Sequence, residues 1–142
     1  MAYRIYENRL NMVEFQKLRL ASGFEPLESG RLKKALSASL VKLSAEDDGE
    51  TVGMVRVAGD GAFVFVIADL LVRPDRRGEG IGTTLVNCAV DAISAMLPNG
   101  VWATVTLIAA SGRESFYEEL GFHKIPRGEV GNAMQAFVRG SK

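Results

Sequence analysis

Ala68-Asp-Leu-Leu-Val-Arg-Pro-Asp-Arg-Arg-Gly-Glu-Gly-Ile-Gly-Thr-Thr84 is the stretch that decides how the chain is read. A nearly unbroken apolar run, Phe63 to Val72, leads into it and predicts a strand buried on both faces. Pro74 cannot donate to a ladder and ends that strand. Arg76 and Arg77 then precede Gly78, Gly80 and Gly82, and Ile81, Leu85, Ala89, Ile93 and Met96 recur at helical spacing. Strand, cationic glycine loop and helix start, in that order, make an anion site. The first amides of a helix lack internal acceptors and sit at the positive end of its dipole. Closely spaced glycines let a bulky anion approach the backbone.

Spacing narrows the choice of anion. A P-loop needs Gly-Lys-Ser/Thr at its end, whereas Gly82 is followed by Thr83 and Thr84 with no lysine. A dinucleotide fingerprint needs Gly-x-Gly-x-x-Gly near the start of a βαβ unit. Here the pattern is Gly-x-Gly-x-Gly, more than halfway along the chain. A turn that merely requires glycine is the plainer reading of such a loop taken alone.

A chain of 142 residues fits one domain, 1–142, with a core of respectable size. Lys plus Arg and Asp plus Glu both number 17, so no basic excess of the kind that drives nucleic-acid binding is present. No apolar segment reaches membrane-spanning length, and Met1-Ala2-Tyr3-Arg4 lacks the apolar core of a signal peptide. The single cysteine, Cys88, excludes an internal disulfide and a cysteine-cluster metal site, and its place in the apolar helix pattern predicts a small core residue. Neither a nucleic-acid nor a membrane partner is expected, no metal is expected, and the expected location is cytoplasmic.

In chain order, Tyr3 to Tyr6 predicts an opening strand. Asn11 caps a helix, with Glu14 three residues on as in a capping box and Val13, Leu18 and Leu20 as its apolar positions. A second helix is predicted from about 27 to 39, with Leu32, Ala35, Leu36 and Leu40 on its buried side. Leu40 to Leu43 is strand-like, Ala45 to Glu50 a hairpin loop, and Thr51 to Ala58 the return strand. Gly59-Asp60-Gly61 turns into the central strand, completing an antiparallel meander. Pro98-Asn99-Gly100 ends the long helix. Val101 to Ile108 is a strand that a right-handed crossover places parallel to the central one. A short helix from about 113 to 120 stops at Gly121, and Phe122–Ile125 and Ala133–Val138 are two closing strands joined by a loop over 126–132.

Two motifs, Arg77-x-x-Gly80-x-Gly82 after a Val-x-Pro strand end and Phe116-Tyr117-Glu118-Glu119-Leu120-Gly121-Phe122, together resemble the GNAT superfamily of N-acetyltransferases. The element order β-α-α-β-β-β-α-β-α-β-β resembles that family's fold over nearly the whole chain. The implied fold class is mixed α/β (α+β): a central, mostly antiparallel sheet flanked by helices, with two splayed parallel strands. The resemblance implies acetyl-CoA as cosubstrate. Its pyrophosphate would lie on the loop formed by Arg77, Gly78, Glu79, Gly80, Ile81, Gly82 and Thr83, and its pantetheine arm would pair with Leu70, Leu71 and Val72. The stretch Ile108-Ala109-Ala110-Ser111-Gly112 has no asparagine where many members carry one.

Acyl transfer to an amine needs a neutral amine, a polarised carbonyl and a protonated leaving thiolate. His123 is the only histidine and no Ser/His/Asp set is evident, which argues for direct transfer in a ternary complex without an acyl-enzyme. A backbone N–H between Leu70 and Val72 would polarise the thioester carbonyl. Tyr117 is the candidate general acid, or else a tyrosine packed beside Phe116 and Phe122. Asp69 interrupts the apolar run. It either pairs with Arg56 on the neighbouring strand or faces the acceptor as a base, and alternation puts it on the face of Ile67 and Leu71. Glu25 and Glu28 are further candidate bases, and deprotonation through water needs none. His123 reads as a surface or satisfied residue. The expected acceptor is a primary amine of a small molecule. A protein or peptide amine, or a silent acyl-CoA-binding module, is the alternative, and a homodimer is left open.

Overall fold

The computed structural model, which describes residues 2–140, divides the chain into two compact units, Met1–Ile108 and Ala109–Lys142. The first holds β1 (Arg4–Glu7), α1 (Met12–Ala21), α2 (Ser29–Ala38), β2 (Val41–Asp47), β3 (Glu50–Gly59), β4 (Val64–Val72), a 3-10 turn (Pro74–Arg76), α3 (Ile81–Met96) and β5 (Thr104–Leu107). The five strands form one sheet in the order β1-β2-β3-β4-β5. Neighbours are antiparallel through β4, and β4–β5 is parallel, as the crossover through α3 requires. The mixed, mostly antiparallel sheet expected from the sequence is therefore present. Among the described residues no helix is long and apolar enough to cross a membrane.

The hairpin between β2 and β3 is tighter than the expected loop over 45–50. β2 continues through Asp47, and only Asp48 and Gly49 turn, at φ of 51° and 79°. Positive φ at both central residues is type I′ geometry, whose twist matches that of the strands it joins. Carboxylates are tolerated at the strand end because each has an arginine: Glu46 with Arg9 at 3.1 Å and Asp47 with Arg76 at 2.8 Å.

The strand buried on both faces is β3, not β4. Val52, Gly53, Met54 and Val55 are all inaccessible, because β3 has a strand on each side and helices above and below. On one face Met54 joins Leu71, Leu10, Phe15, Leu18, Leu32 and Leu36 in a cluster that seats α1 and α2. Burying side chains of this size stabilises the fold by roughly 1.5–3 kcal/mol each. On the other face a Cβ at Gly53 would stand 3.0 Å from Ile81 Cγ2 and 3.2 Å from Leu85 Cδ1, so glycine is what lets α3 approach this closely. β4 alternates instead: Phe65 and Ile67 are buried, while Val64 and Val66 are 45% and 36% exposed. An apolar run shows that a strand forms but not which of its faces is covered.

β4 also carries a bulge. Val57 pairs with Ile67 and Arg56 with Asp69, which leaves Ala68 without a cross-strand partner. Val57 and Arg56 are neighbours on opposite faces of β3, and directly paired residues share a face. Ile67 therefore lies on the α3 face and Asp69 on the face of α1. The expectation that Asp69 and Ile67 share a face fails for this reason.

Smaller departures have local causes. In α1 the buried apolar residues are Phe15 and Leu18, whereas Val13 and Leu20 are exposed on the solvent side. Asn11 does cap α1, accepting the Glu14 amide at 3.0 Å. Met96, at the last turn of α3, is exposed. β5 begins only at Thr104, because a turn bond from the Val101 amide to the Pro98 carbonyl (3.0 Å) holds the preceding residues out of the ladder. Trp102 is exposed there.

The second unit contains α4 (Glu114–Glu119). Gly121 follows it at φ +95°, with the Phe122 amide on the Tyr117 carbonyl (3.1 Å) and the Gly121 amide on Glu118 (3.1 Å), the two bonds of a Schellman motif. The expected closing strands, Phe122–Ile125 and Ala133–Val138, are not formed. Beyond α4 the only pairing among the described residues is the bridge Arg127–Val130, and Met134, Phe137 and Val138 are fully exposed. Apolar alternation supplies one half of a ladder, and a strand exists only with the other half.

Candidate active site

The glycine loop forms as the sequence predicts. Gly78 and Gly80 both adopt φ +83°, a left-handed conformation that side chains disfavour, and a Cβ on either would meet nothing within 4 Å. Their outer side is thus open space beside bare backbone. Gly80 is the N-cap of α3 and offers no side chain, so the first-turn amides of Ile81, Gly82 and Thr83 are left without a capping acceptor. The first bond of the helix runs from Thr84 N to Gly80 O at 3.0 Å. These amides, with the dipole of the sixteen-residue helix behind them, suit a phosphate-type anion.

The arginines divide their work. Arg73 donates to Asp75 (2.7 Å) and Glu50 (2.9 Å), and Arg76 donates to Asp47 (2.8 Å) and, through a fork, to Glu79 (2.9 Å). Arg73 holds the Asp75 carboxyl, and Arg76 the Glu79 carboxyl, below the usual carboxylate range. Both arginines are themselves raised by these bonds. Arg77 is exposed, has no carboxylate partner among the described residues, and is the cation left for an arriving anion. Glu79 offers the site its backbone, since its carboxylate is held by Arg76.

The strand that feeds this loop has an open edge. β5 pairs with β4 only from Val64 to Ile67, while β4 runs on to Val72. The Arg73 amide bonds to Val52 O at 2.8 Å and so faces β3. Amide direction alternates along a strand, so Leu71 and Asp69 also face β3, whereas the N–H and C=O groups of Leu70 and Val72 face the open side. Leu70 and Val72 thus present an unpaired backbone edge that ends at the glycine loop. Leu71 is turned to the core and sits in the α1–α2 cluster.

Asp69 pairs with Arg56: Arg56 Nε donates to Asp69 Oδ2 at 2.5 Å, and the side chains are 16% and 19% exposed. The Arg56 guanidinium also lies 5.7 Å from the Phe15 ring centre. Glu25 and Glu28 lie exposed between α1 and α2. That connection is clamped by Gln16, whose amide donates to Leu27 O (2.6 Å) and accepts from Leu27 N (3.2 Å). A cleft of about 320 Å³ opens between α1 and the β2–β3 hairpin, lined by Glu14, Lys17, Leu18, Glu50, Thr51 and Arg73 among others.

In the second unit Tyr117 packs edge-on against Phe116 (4.9 Å) and Phe122 (6.0 Å). Burial raises its phenol pKa, against an opposing effect of Arg113. His123 is exposed. Cys88 is half-buried on α3, and burial, then Asp91, raises its thiol pKa.

Sequence reading missed two supports. Tyr3 reaches the start of α3, its hydroxyl 2.9 Å from Thr84 Oγ1, which itself donates to Gly80 O at 3.0 Å. No local signal links a tyrosine to a loop this far along the chain. The second is the Arg76–Glu79 pair, visible in the sequence as an i,i+3 spacing of opposite charges.

Comparisons with known proteins agree with this geometry. Residues 41–124, more than half of the chain, match the acetyltransferase (GNAT) domain. An uncharacterized N-acetyltransferase, ycf52, of Porphyra purpurea is 29% identical over 126 residues, covering 86% of this chain and 70% of that protein. The fold superposes on a probable acetyltransferase of unknown function from meticillin-resistant Staphylococcus aureus with a TM-score of 0.80, at 24% identity over 94% of this chain and 99% of the other. It also resembles an aminoglycoside 6'-N-acetyltransferase complexed with coenzyme A, with a TM-score of 0.57 at 23% identity over 66% of this chain and 56% of the other. The chain belongs to the GNAT superfamily of acetyl-CoA-dependent N-acetyltransferases.

Proposed function

We propose that the chain transfers the acetyl group of acetyl-CoA to the primary amine of a small-molecule acceptor, directly and within a ternary complex. The observation that carries this reading is the open edge of β4, at Leu70 and Val72, running into the free amides of Gly78–Thr83. The edge matches an extended amide-bearing arm, and the loop matches a pyrophosphate flanked by Arg77. A β4 amide on that edge donates to the thioester carbonyl oxygen, where negative charge develops. The amine nitrogen attacks the carbonyl carbon, the C–S bond breaks, and the thiolate takes a proton from Tyr117 while the amine loses one to water. Tyr117 is assigned this role from its motif and from a phenol that keeps its proton at neutral pH. Asp69, engaged by Arg56, is assigned to the fold and not to proton abstraction.

A net charge of zero gives the chain no overall acidic attraction for a lysine-rich tail, which favours a small acceptor. The family match runs across the boundary between the two compact units, which supports 1–142 as one functional domain. The test is thiol release from acetyl-CoA with a panel of polyamines, amino sugars, aminoglycosides and amino acids beside lysine peptides. Turnover with a small amine is expected. Turnover with peptides alone would overturn the acceptor class, and coenzyme A binding without turnover would indicate a silent module.

A further inference from the structure

The root of the glycine loop carries Asp47, Glu50, Asp75 and Glu79 against Arg73, Arg76 and Arg77, an excess of negative charge where an anion is to bind. Glu79 stands between Gly78 and Gly80, the residues whose backbone faces open space. Its carboxylate receives both Arg76 Nε and Nη2 at 2.9 Å, and Arg76 Nη1 is anchored on Asp47 of the β2–β3 hairpin at 2.8 Å. The fork is planar and bidentate, a geometry only arginine supplies.

We propose that Arg76 is a positioning residue for the cosubstrate loop: it neutralises Glu79 and holds that carboxylate on the hairpin side, so that the amides of Gly78–Thr83 meet the pyrophosphate without a competing negative charge. The inference rests on the placement of the pyrophosphate under the proposed function. Arg76 itself is not a phosphate ligand, and Arg77 remains for that contact. Like charges close together in a partly screened site repel most at low salt, so the effect of removing Arg76 is strongest there.

The experiment is calorimetric titration of the full chain with coenzyme A at low and at physiological ionic strength. Arg76→Met is expected to weaken binding by about tenfold at low salt and less at higher salt. Adding Glu79→Gln to that variant is expected to restore affinity to within about threefold of wild type, because the repelling charge is gone. Asp47→Asn, which loosens the anchor that holds Arg76 on the hairpin side but leaves the Arg76–Glu79 fork, is expected to weaken binding less than Arg76→Met does, and binding weaker than that of Arg76→Met would overturn the inference. Wild-type affinity in Arg76→Met, or failure of Glu79→Gln to rescue it, would overturn the inference. Should Arg76→Met not fold, Glu79→Gln alone decides: affinity equal to or above wild type supports screening, and weaker binding overturns it. Gly80→Val separates the two readings. If it binds coenzyme A normally, the loop assignment itself fails. If it loses binding while Arg76→Met does not, only the role of Arg76 fails.

Discussion

Asp69→Asn tests whether the one carboxylate of β4 serves the fold or the chemistry. The substitution keeps the shape and removes the charge, leaving the Arg56 guanidinium against Phe15 with a neutral partner. Breaking a fully buried ion pair from one side costs about 3–5 kcal/mol, and an exposed pair contributes at most about 1 kcal/mol. With 16% and 19% of the two side chains exposed, and with an amide oxygen still able to accept from Nε, the cost here is about 2 kcal/mol. For a chain of this length that lowers the melting temperature by about 4–8 °C.

The assay is thermal unfolding by circular dichroism, paired with kcat and KM for the best amine over a range of pH. A structural pair predicts the lower melting temperature with kcat for the folded enzyme within about threefold of wild type. A general base predicts the reverse: an unchanged melting temperature and a turnover loss that deepens as pH falls and fewer amines are neutral. That second pattern would refute the assignment of Asp69 to the fold.

Four further outcomes rest on the same structure. Gly80→Val forces a branched side chain into φ +83°, at about 1–2 kcal/mol, and displaces amides from the loop, so coenzyme A affinity falls by about a hundredfold while the circular dichroism spectrum is retained. Tyr117→Phe lowers kcat by about ten- to a thousandfold with little change in coenzyme A affinity, and unchanged turnover would make Tyr117 a packing residue. Because burial raises the Tyr117 pKa above its ordinary value of 10.0, the acid form persists through neutral pH. A wild-type kcat profile should therefore show no descending limb from this group below about pH 10. Gly53→Val drives carbon into Ile81 and Leu85, overpacking the α3 face at about 1–3 kcal/mol, and a melting temperature equal to wild type would refute that close packing.

The parts of the site that were legible in the sequence are those written locally. Pro74 at a strand end, glycines at 78 and 80, and an apolar helical period from Ile81 are each nearest-neighbour signals, and together they fix a strand, a glycine loop and a helix start. Arg56 as the partner of Asp69 was also legible, because a hairpin of known strands brings the two residues close to register. What was not legible depends on neighbours the local sequence does not name. The run from Phe63 to Val72 is more apolar than β3, yet β3 is the strand enclosed on both faces, because enclosure depends on how the helices pack over each face of the sheet. The segment Ala133–Val138 has the composition of a strand and no ladder partner among the described residues.

The bulge at Ala68 joins these two lessons. On a regular β4, Asp69 would lie with Ile67 on the α3 face, where an unpaired ionised carboxylate would be costly. One additional residue rotates the strand, and the carboxylate meets Arg56 on the α1 face instead. The same stretch is where β5 stops pairing and the backbone of Leu70 and Val72 is left open. A period-2 pattern cannot reveal such an insertion, since Phe65, Ile67, Asp69 and Leu71 keep their spacing in the sequence while the sheet changes the face they occupy. The irregularity therefore does two things at once: it gives a charged residue a partner within the strand, and it lies at the start of the backbone edge that the proposed acyl transfer uses.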